Sequence, residues 1–181
     1  MERIAATATH ECDRQTRQEF RATMDEPYHF LDCGLPNVFL VGIRYFRCEC
    51  GRELVDIPAI KQLMNLIARD LVQKDSALSG SETRFLRKRL GANAADFARQ
   101  IGLEPETLSR IENDHLPPSE RTDKLVRLYY AVASKDPLLL GELQADLSQR
   151  LMAWQKIVLP PKKIVAKVRD NEWTPVAALV V

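Results

Sequence analysis

The sequence predicts an α+β protein, with a small N-terminal antiparallel β-domain followed by an all-α domain. Between residues 28 and 57, aromatic and β-branched residues are frequent and glycine and proline interrupt them, which is typical of short strands and turns. From residue 58 onward, apolar residues recur at intervals of three and four, the period of an amphipathic helix. A second β-rich stretch near the end of the chain predicts a terminal hairpin.

The composition is that of a globular protein and does not identify a partner. The 181 residues are 45% hydrophobic, which suffices for one medium domain or two small ones. No apolar run approaches the roughly 18 residues of a membrane-spanning helix. The first residues also lack the apolar segment of a signal peptide, so we expect a cytoplasmic protein without membrane contact. The net charge of +1 means that any contact with nucleic acid must come from local placement of arginine and lysine.

The N-terminal part is predicted to consist of an arm and a β-rich unit. Residues 1–26 carry many charges and little hydrophobic period, which predicts a flexible arm that ends at Pro27. Residues 27–74 are expected to form a β-meander of three or four short strands followed by one helix. Pro58 suits the start of that helix. Its apolar residues are Ile60, Leu63, Met64, Ile67, Leu71 and Val72.

Residues 79–133 are expected to form four or five short helices joined by tight turns. The first helix is predicted over 82–90, and either Ser79 or Ser81 can cap its N-terminus. Asn93 is a good N-cap for the second helix. The apolar residues of the first helix would face the core, and its outward side would carry Arg84, Lys88 and Arg89.

The next two helices have the punctuation of a helix-turn-helix. Gly102 can take the left-handed conformation that ends the second helix, and Pro105 suits the first turn of the third. The outward side of this third helix would carry Glu106, Thr107, Arg110 and Asn113. Such a helix could enter a DNA major groove, where Arg110 would reach the acceptors of a guanine.

The fourth helix offers further cations. Arg121 and Lys124 could hold backbone phosphates, but these residues and Arg127 could equally form an ordinary solvated face. Caps, glycine turns and a core of leucine, isoleucine and phenylalanine also occur in any small helical bundle. Periodicity alone therefore leaves a bundle without DNA contact as an alternative.

Residues 137–181 are predicted to form one more amphipathic helix and a β-rich tail. Two strands, 164–168 and 173–181, would flank the turn residues Asp170-Asn171 as a hairpin. Pro175 cannot donate a backbone hydrogen bond, which confines the second strand to the edge of a sheet. Either the helix or the hairpin could supply the contacts of a dimer.

The helical segment resembles a known family. Its residues Arg87, Leu90-Gly91, Phe97-Ala98, Ile101-Gly102 and 107–112 (TLSRIE) are similar in type and spacing to the Xre/Cro-type helix-turn-helix, also called phage-repressor-like or lambda-repressor-like. With the upstream segment YHFLDCGLPNVFLVG, the chain resembles MqsA-type antitoxins and YgiT-type zinc-finger/helix-turn-helix regulators. In that comparison, the zinc site of this chain is degenerate.

The resemblance implies a role for each outward residue of the third helix. Glu106, Thr107 and Arg110 match the positions that face bases in this family. Asn113 matches a position that contacts the DNA backbone after the helix. The family resemblance therefore implies a DNA reader, with Arg121 and Lys124 nearby as possible phosphate contacts.

The resemblance also implies a structural ion pair, and the chain departs from the family pattern at one position. Arg87 and Glu112 match a largely buried pair that ties the first helix to the end of the recognition helix. The family often has glutamine at the start of the second helix for a phosphate contact, and this chain has Ala94. Phosphates would also repel the Glu106 carboxylate unless it accepts from a cytosine amino group.

Three cysteines, Cys33, Cys48 and Cys50, lie where strands are predicted to end. In a reducing compartment, they are free thiols or metal ligands rather than disulfides. Structural zinc needs four ligands, usually from two C-x-x-C pairs, but Cys33 stands alone and the second pair is C-x-C. A further ligand would come from His29, Cys12 or His10. We therefore expect no cofactor, with zinc as the alternative.

These observations lead to two hypotheses about function. No P-loop, Rossmann glycine pattern or hydrolase motif occurs, so we do not expect an enzyme. The first hypothesis is an antitoxin-like transcriptional repressor that binds a double-stranded DNA operator as a homodimer and has a toxin as its protein partner. The second is a protein-interaction module that sequesters such a partner without binding DNA. The near-neutral charge favours the second, and the intact 107–112 pattern favours the first.

Overall fold

A computed structural model describes residues 17–48, 51–153 and 162–176. The fold is α+β, as predicted: five short strands precede six helices, and a hairpin follows them. None of the helices in these ranges is long and apolar enough to cross a membrane. The elements are β1 (Arg17–Arg21), β2 (Tyr28–His29), β3 (Val38–Val41), β4 (Arg44–Cys48), β5 (Glu53–Asp56), α1 (Ile60–Gln73), α2 (Gly80–Arg89), α3 (Ala94–Gln100), α4 (Pro105–Glu112), α5 (Glu120–Ala133), α6 (Pro137–Ala153), β6 (Ile164–Arg169) and β7 (Glu172–Val176).

The strands form two sheets, so the predicted meander over 27–74 is wrong in its connectivity. One sheet has the order β1-β4-β5 and is antiparallel. The other has the order β2-β3-β6-β7, in which β3 and β6 run parallel. The physical reason lies in β3, whose Val38 and Leu40 are fully buried. A strand buried in this way needs a neighbour on each edge, and the tail of the chain supplies the second one.

The prediction of a flexible arm over residues 1–26 is wrong for the part of it that the structure describes, residues 17–26. Residues 17–21 form β1, an edge strand paired with β4, with Arg21 opposite Arg44. A cross-strand aromatic pair stabilises this edge, since the rings of Phe20 and Tyr45 stack with their centroids 5.4 Å apart. Residues 1–16 lie outside the described part of the chain.

The terminal hairpin is confirmed for its described residues. Asp170 and Asn171 both have positive φ, 49° and 64°, the conformation of a two-residue hairpin turn. Pro175 lies in β7, which forms an edge of the four-stranded sheet as predicted. The part of the predicted second strand from 177 to 181 lies outside the described residues.

Helix α1 joins the β-rich part to the helical part. It packs on β6 and β7 and on α2, and its Leu63 and Ile67 are fully buried. Trp173 of β7 is also buried, and its indole Nε1 donates to the Pro58 carbonyl at 2.6 Å. One hydrophobic core therefore extends from the strands through α1 to the helices α2–α5. The outward side of the helical part carries the candidate site.

Candidate nucleic-acid interface

Local capping positions the helices of this region. Ser79, not Ser81, is the N-cap of α2: its Oγ accepts from the Glu82 backbone, and the Glu82 carboxylate accepts from the Ser79 N–H at 2.6 Å. This reciprocal arrangement satisfies two backbone donors. Asn93 caps α3 as predicted, accepting from the Asp96 N–H at 2.8 Å. The start of α3 was therefore predicted correctly, whereas α2 begins at Gly80, two residues before the predicted start, because Ser79 and not Ser81 is its cap.

The turn between α3 and α4 has the predicted geometry. Gly102 has φ of 68°, and the Leu103 N–H donates to the Ala98 carbonyl at 2.8 Å, closing the end of α3. Pro105 occupies the first turn of α4. Phe97 of α3 is fully buried, as is the small Ala98 beside it, which lets α4 cross closely. The turn therefore holds α4 in a defined orientation against α3.

A buried ion pair holds α4 to α2, as the resemblance implied. The Arg87 guanidinium donates to both carboxylate oxygens of Glu112, at 2.6 and 2.7 Å. It also donates to the Ala92 carbonyl at 2.8 Å. Hydrogen bonding to Glu112 raises the pKa of Arg87 despite the opposing effect of burial. The pair is structural, because its polar atoms face each other and not solvent.

Gly80 forms a second contact between α2 and the end of α4, and this contact was not predicted. A Cβ at this position would lie 2.1 Å from the Ile111 carbonyl oxygen and 2.7 Å from Asp114 Oδ1. The Gly80 N–H donates to that same Asp114 oxygen at 2.8 Å. The start of α2 therefore presses on the end of α4 so closely that only glycine fits. The Ser-Gly pair at the cap was the one signal in the sequence.

The predicted base-facing residues lie on the free side of α4. Glu106 and Arg110 are exposed, and Thr107 is half-buried beside them. Within the described residues, the side chains of Glu106 and Arg110 form no ion pair. Arg110 lies four positions after Glu106 and three after Thr107, so its side chain neighbours both of them on the helix surface. This surface offers a cation, a carboxylate and a hydroxyl to a ligand.

Asn113 belongs to the same surface, but its amide is already engaged. Its Oδ1 accepts from Arg84 at 2.6 Å, and its Nδ2 donates to the Ser109 carbonyl at 2.7 Å. The residue ends α4 as its C-cap. For Asn113 to contact the DNA backbone, one of these two hydrogen bonds within the protein would have to be replaced by a hydrogen bond to DNA.

The predicted phosphate contacts lie at the start of α5. Arg121 is exposed, whereas Lys124 donates to the Glu120 carboxylate one turn earlier at 2.6 Å. Both line an open groove of about 680 Å³ with Leu125 and Leu128. An exposed ion pair of this kind contributes less than about 1 kcal/mol, so a phosphate could replace Glu120 as the partner of Lys124.

Two arginines predicted to point outward from α2 are instead used within the fold. Arg84 donates to the Glu112 carbonyl at 2.5 Å as well as to Asn113. Arg89 donates to Asn65 of α1 at 2.8 Å. They turn inward because the α2 N-terminus and C-terminus are flanked by α4 and α1, which offer oxygen acceptors. Only Lys88 of the predicted trio is exposed.

Arg127, considered as part of a solvated face, is fully buried. Its guanidinium pairs with Asp123, with Nε to Oδ2 at 2.8 Å. It also donates to the carbonyls at the end of α1 and in the following loop. These acceptors are Leu71, Val72, Lys74 and Ser76, at 2.6 to 3.2 Å. The Asp-x-x-x-Arg spacing was the only sequence signal, and it is equally typical of exposed helix pairs.

The cysteines do not come together as a site in the described residues. Cys33 lies between β2 and β3, where its thiol donates to the Phe30 carbonyl at 3.2 Å, and burial raises its pKa. Cys48 is buried at the end of β4 in the other sheet, and Cys50 lies outside the described part. Among residues 17–48, 51–153 and 162–176, no three histidine, cysteine or acidic side chains are grouped to hold a metal. The zinc alternative stays untested.

Comparison with known proteins found no matching family model, no matching curated protein and no matching solved structure.

Proposed function

We propose that the protein is a sequence-specific DNA-binding regulator that reads the major groove with α4. The observation that carries this proposal is the pair of exposed side chains, Glu106 and Arg110, with the half-buried Thr107 beside them, on a short helix that is held by a buried ion pair and a tight turn. A rigid support matters because base readout requires donors and acceptors at fixed positions.

Each residue of the trio has a chemistry that suits base edges. The Arg110 guanidinium can donate two hydrogen bonds to O6 and N7 of a guanine. The Glu106 carboxylate can accept from the amino group of a cytosine, and its charge would disfavour other bases. The Thr107 side chain can contact a thymine methyl group or a phosphate. A G·C-containing half-site is therefore the expected target.

We further propose that the DNA-bound form is a homodimer and that α5 provides its contact surface. Leu125 and Val132 lie two turns apart on one side of α5 and are 40% and 68% exposed. Leu128 lies between them on the same side, and because Leu125 and Leu128 also line the groove of Arg121 and Lys124, this dimer would cover that groove and leave base and phosphate contacts to α4. Two copies would present two α4 helices to half-sites about 34 Å apart. Repression, and antitoxin action towards a toxin partner, are extensions of this proposal that rest on the family resemblance.

A protein-interaction module without DNA contact is the second candidate. It is favoured because Asn113 and Lys124 already form hydrogen bonds within the chain, to Arg84 and Glu120. Of the six residues proposed to contact DNA, Arg110 and Arg121 are then the exposed cations. The β-rich part also exposes Leu31 and Leu54, at 57% and 48%. Such a module would bind no duplex even at low salt.

Selection from a random-sequence duplex library tests the proposal. The parent chain is expected to enrich a motif, and the Arg110→Ala variant is expected to lose about 1 to 3 kcal/mol on that motif and to relax preference at one base pair. Lys135→Ala is the matched control, since it removes one exposed cation from the loop between α5 and α6. No enrichment by the parent at 50 mM salt, or equal binding by Arg110→Ala, would overturn the proposal.

A further inference from the structure

The segment that forms β6 carries an unusual concentration of positive charge. Residues 162–169 read KKIVAKVR, with four cations and no carboxylate. Strand alternation separates the side chains by face. Ile164 and Ala166 are buried against the core, and the cations Lys163, Lys167 and Arg169 are exposed on the opposite face. The outward face of the four-stranded sheet therefore has a row of cations along its centre.

Aromatic side chains border this row at one end. The Phe39 ring of β3 stacks on His29 of β2, with centroids 4.5 Å apart. The ammonium of Lys163 lies 4.2 Å from the centre of the same Phe39 ring. This contact orients Lys163 on the sheet without neutralising its charge.

At the other end, the row opens into a recess between the two sheets. Gly42 lines this recess and lets the chain after β3 approach β6 closely, because a Cβ there would lie 2.5 Å from the Val168 carbonyl oxygen of β6. The Gly42 N–H also donates to the Ala22 carbonyl at 2.9 Å, which brings the end of β1 close to β6. The resulting recess of about 550 Å³ is lined by Arg21, Lys167 and Arg169, together with Asp170 of the hairpin turn.

Carboxylates neutralise little of this charge. Arg169 pairs with Asp170 at 3.7 Å, but both side chains are almost fully exposed, at 87% and 93%, so the pair is weak. Glu172 lies opposite Arg169 on β7. Within the described residues, Arg21, Lys163 and Lys167 form no ion pair. Three cations on one surface are therefore available to an anionic ligand.

We infer that this surface, the outward face of β6 with Arg21, binds the sugar–phosphate backbone of nucleic acid without reading its sequence. An extended row of cations matches a ligand with regularly repeated anions, and guanidinium groups suit phosphate oxygens. A protein partner would need an apolar area to bury at the centre of the interface, and this surface offers little beyond Phe39 and Val165. The inference goes beyond the proposed function because the surface is separate from α4.

Salt dependence of binding to a fixed, arbitrary 30-base-pair duplex tests this inference on the full chain. The double variant Lys163→Gln, Lys167→Gln is expected to reduce the slope of log K against log salt by about 2, since each lost phosphate contact removes about 0.9. The matched control is Lys61→Gln, Lys135→Gln, which removes the same charge from two exposed lysines elsewhere and should change the slope by less than about 0.5. Far-UV circular dichroism checks that both variants fold.

The outcomes separate this inference from the proposed function. An unchanged slope in the Lys163, Lys167 variant overturns the inference, even if Arg110→Ala loses its motif. An unchanged slope together with lost binding to a poly-glutamate peptide would assign the surface to acidic proteins instead, which also overturns it. Conversely, a reduced slope in a protein that enriches no motif supports the inference and rejects sequence reading by α4.

Discussion

Replacing Arg127 tests the most deeply buried charge in the described structure. Its guanidinium is fully buried, pairs with Asp123 on the same helix, and joins α5 to the end of α1 and the following loop through four backbone carbonyls. Arg127→Met keeps much of the side-chain volume and removes every donor. The Asp123 carboxylate would then lose its cationic partner in a buried environment, although the Leu78 N–H would still donate to it at 2.7 Å.

The expected loss is about 3 to 5 kcal/mol in the free energy of unfolding, the usual cost of removing one partner of a buried ion pair. Domains of this size have total stabilities of about 5 to 15 kcal/mol, so the variant should be marginally folded. Combining Arg127→Met with Asp123→Asn should recover about 1 to 3 kcal/mol, because the amide keeps an acceptor for Leu78 and removes the unpaired charge.

Urea unfolding followed by far-UV circular dichroism measures these differences. Arg121→Met is the matched control, since Arg121 is an exposed arginine one and a half turns earlier on α5. Its expected effect is within about 0.5 kcal/mol. A loss of less than about 1 kcal/mol for Arg127→Met, or no recovery in the double variant, would refute the assignment of Arg127 as the link between α1 and α5.

Three further predictions concern the scaffold and the assembly. Gly80→Ala should lower the free energy of unfolding by about 1 to 3 kcal/mol, because the added methyl group meets a backbone carbonyl at the end of α4. Gly141→Ala, at an open position in α6, should instead raise the free energy of unfolding by about 0.5 to 1 kcal/mol. Equal thermal midpoints of the two variants would contradict this prediction. Burial by itself raises the pKa of Asp136, but hydrogen bonds from Arg69 and from two backbone N–H groups outweigh it and hold the pKa below the ordinary 3.8. The ionised Asp136 carboxylate therefore stabilises the fold at a pH above 3.8, and this stabilisation is lost as the pH falls through the lowered pKa. In urea titrations, Asp136→Asn should reduce the free energy of unfolding more at pH 7 than at pH 3. Val132→Glu should shift a sedimenting dimer to monomer with the fold retained, and an unchanged molar mass would remove α5 from the dimer contact.

Much of the candidate site could be predicted because its signals are local. The Asn93 cap, the Gly102 turn and the Pro105 helix start each depend on residues within one or two turns of the chain. Burial of Arg127 could not be predicted in the same way. Its acceptors lie on a segment more than fifty positions away, and a periodic cation on a helix has the same sequence pattern whether it meets solvent or carbonyls.

The sequence by itself determined the α+β class, the start of α3 after its Asn93 cap and the two-residue turn at Asp170-Asn171, since these follow from backbone preferences of neighbouring residues. Only the tertiary structure decided that β3 pairs with β6 and that β1 joins β4. Strand pairing depends on which buried edges remain unsatisfied after the chain collapses, and no local pattern encodes that. The same pairing placed Arg21 beside Lys167 and Arg169, which are far apart in the sequence.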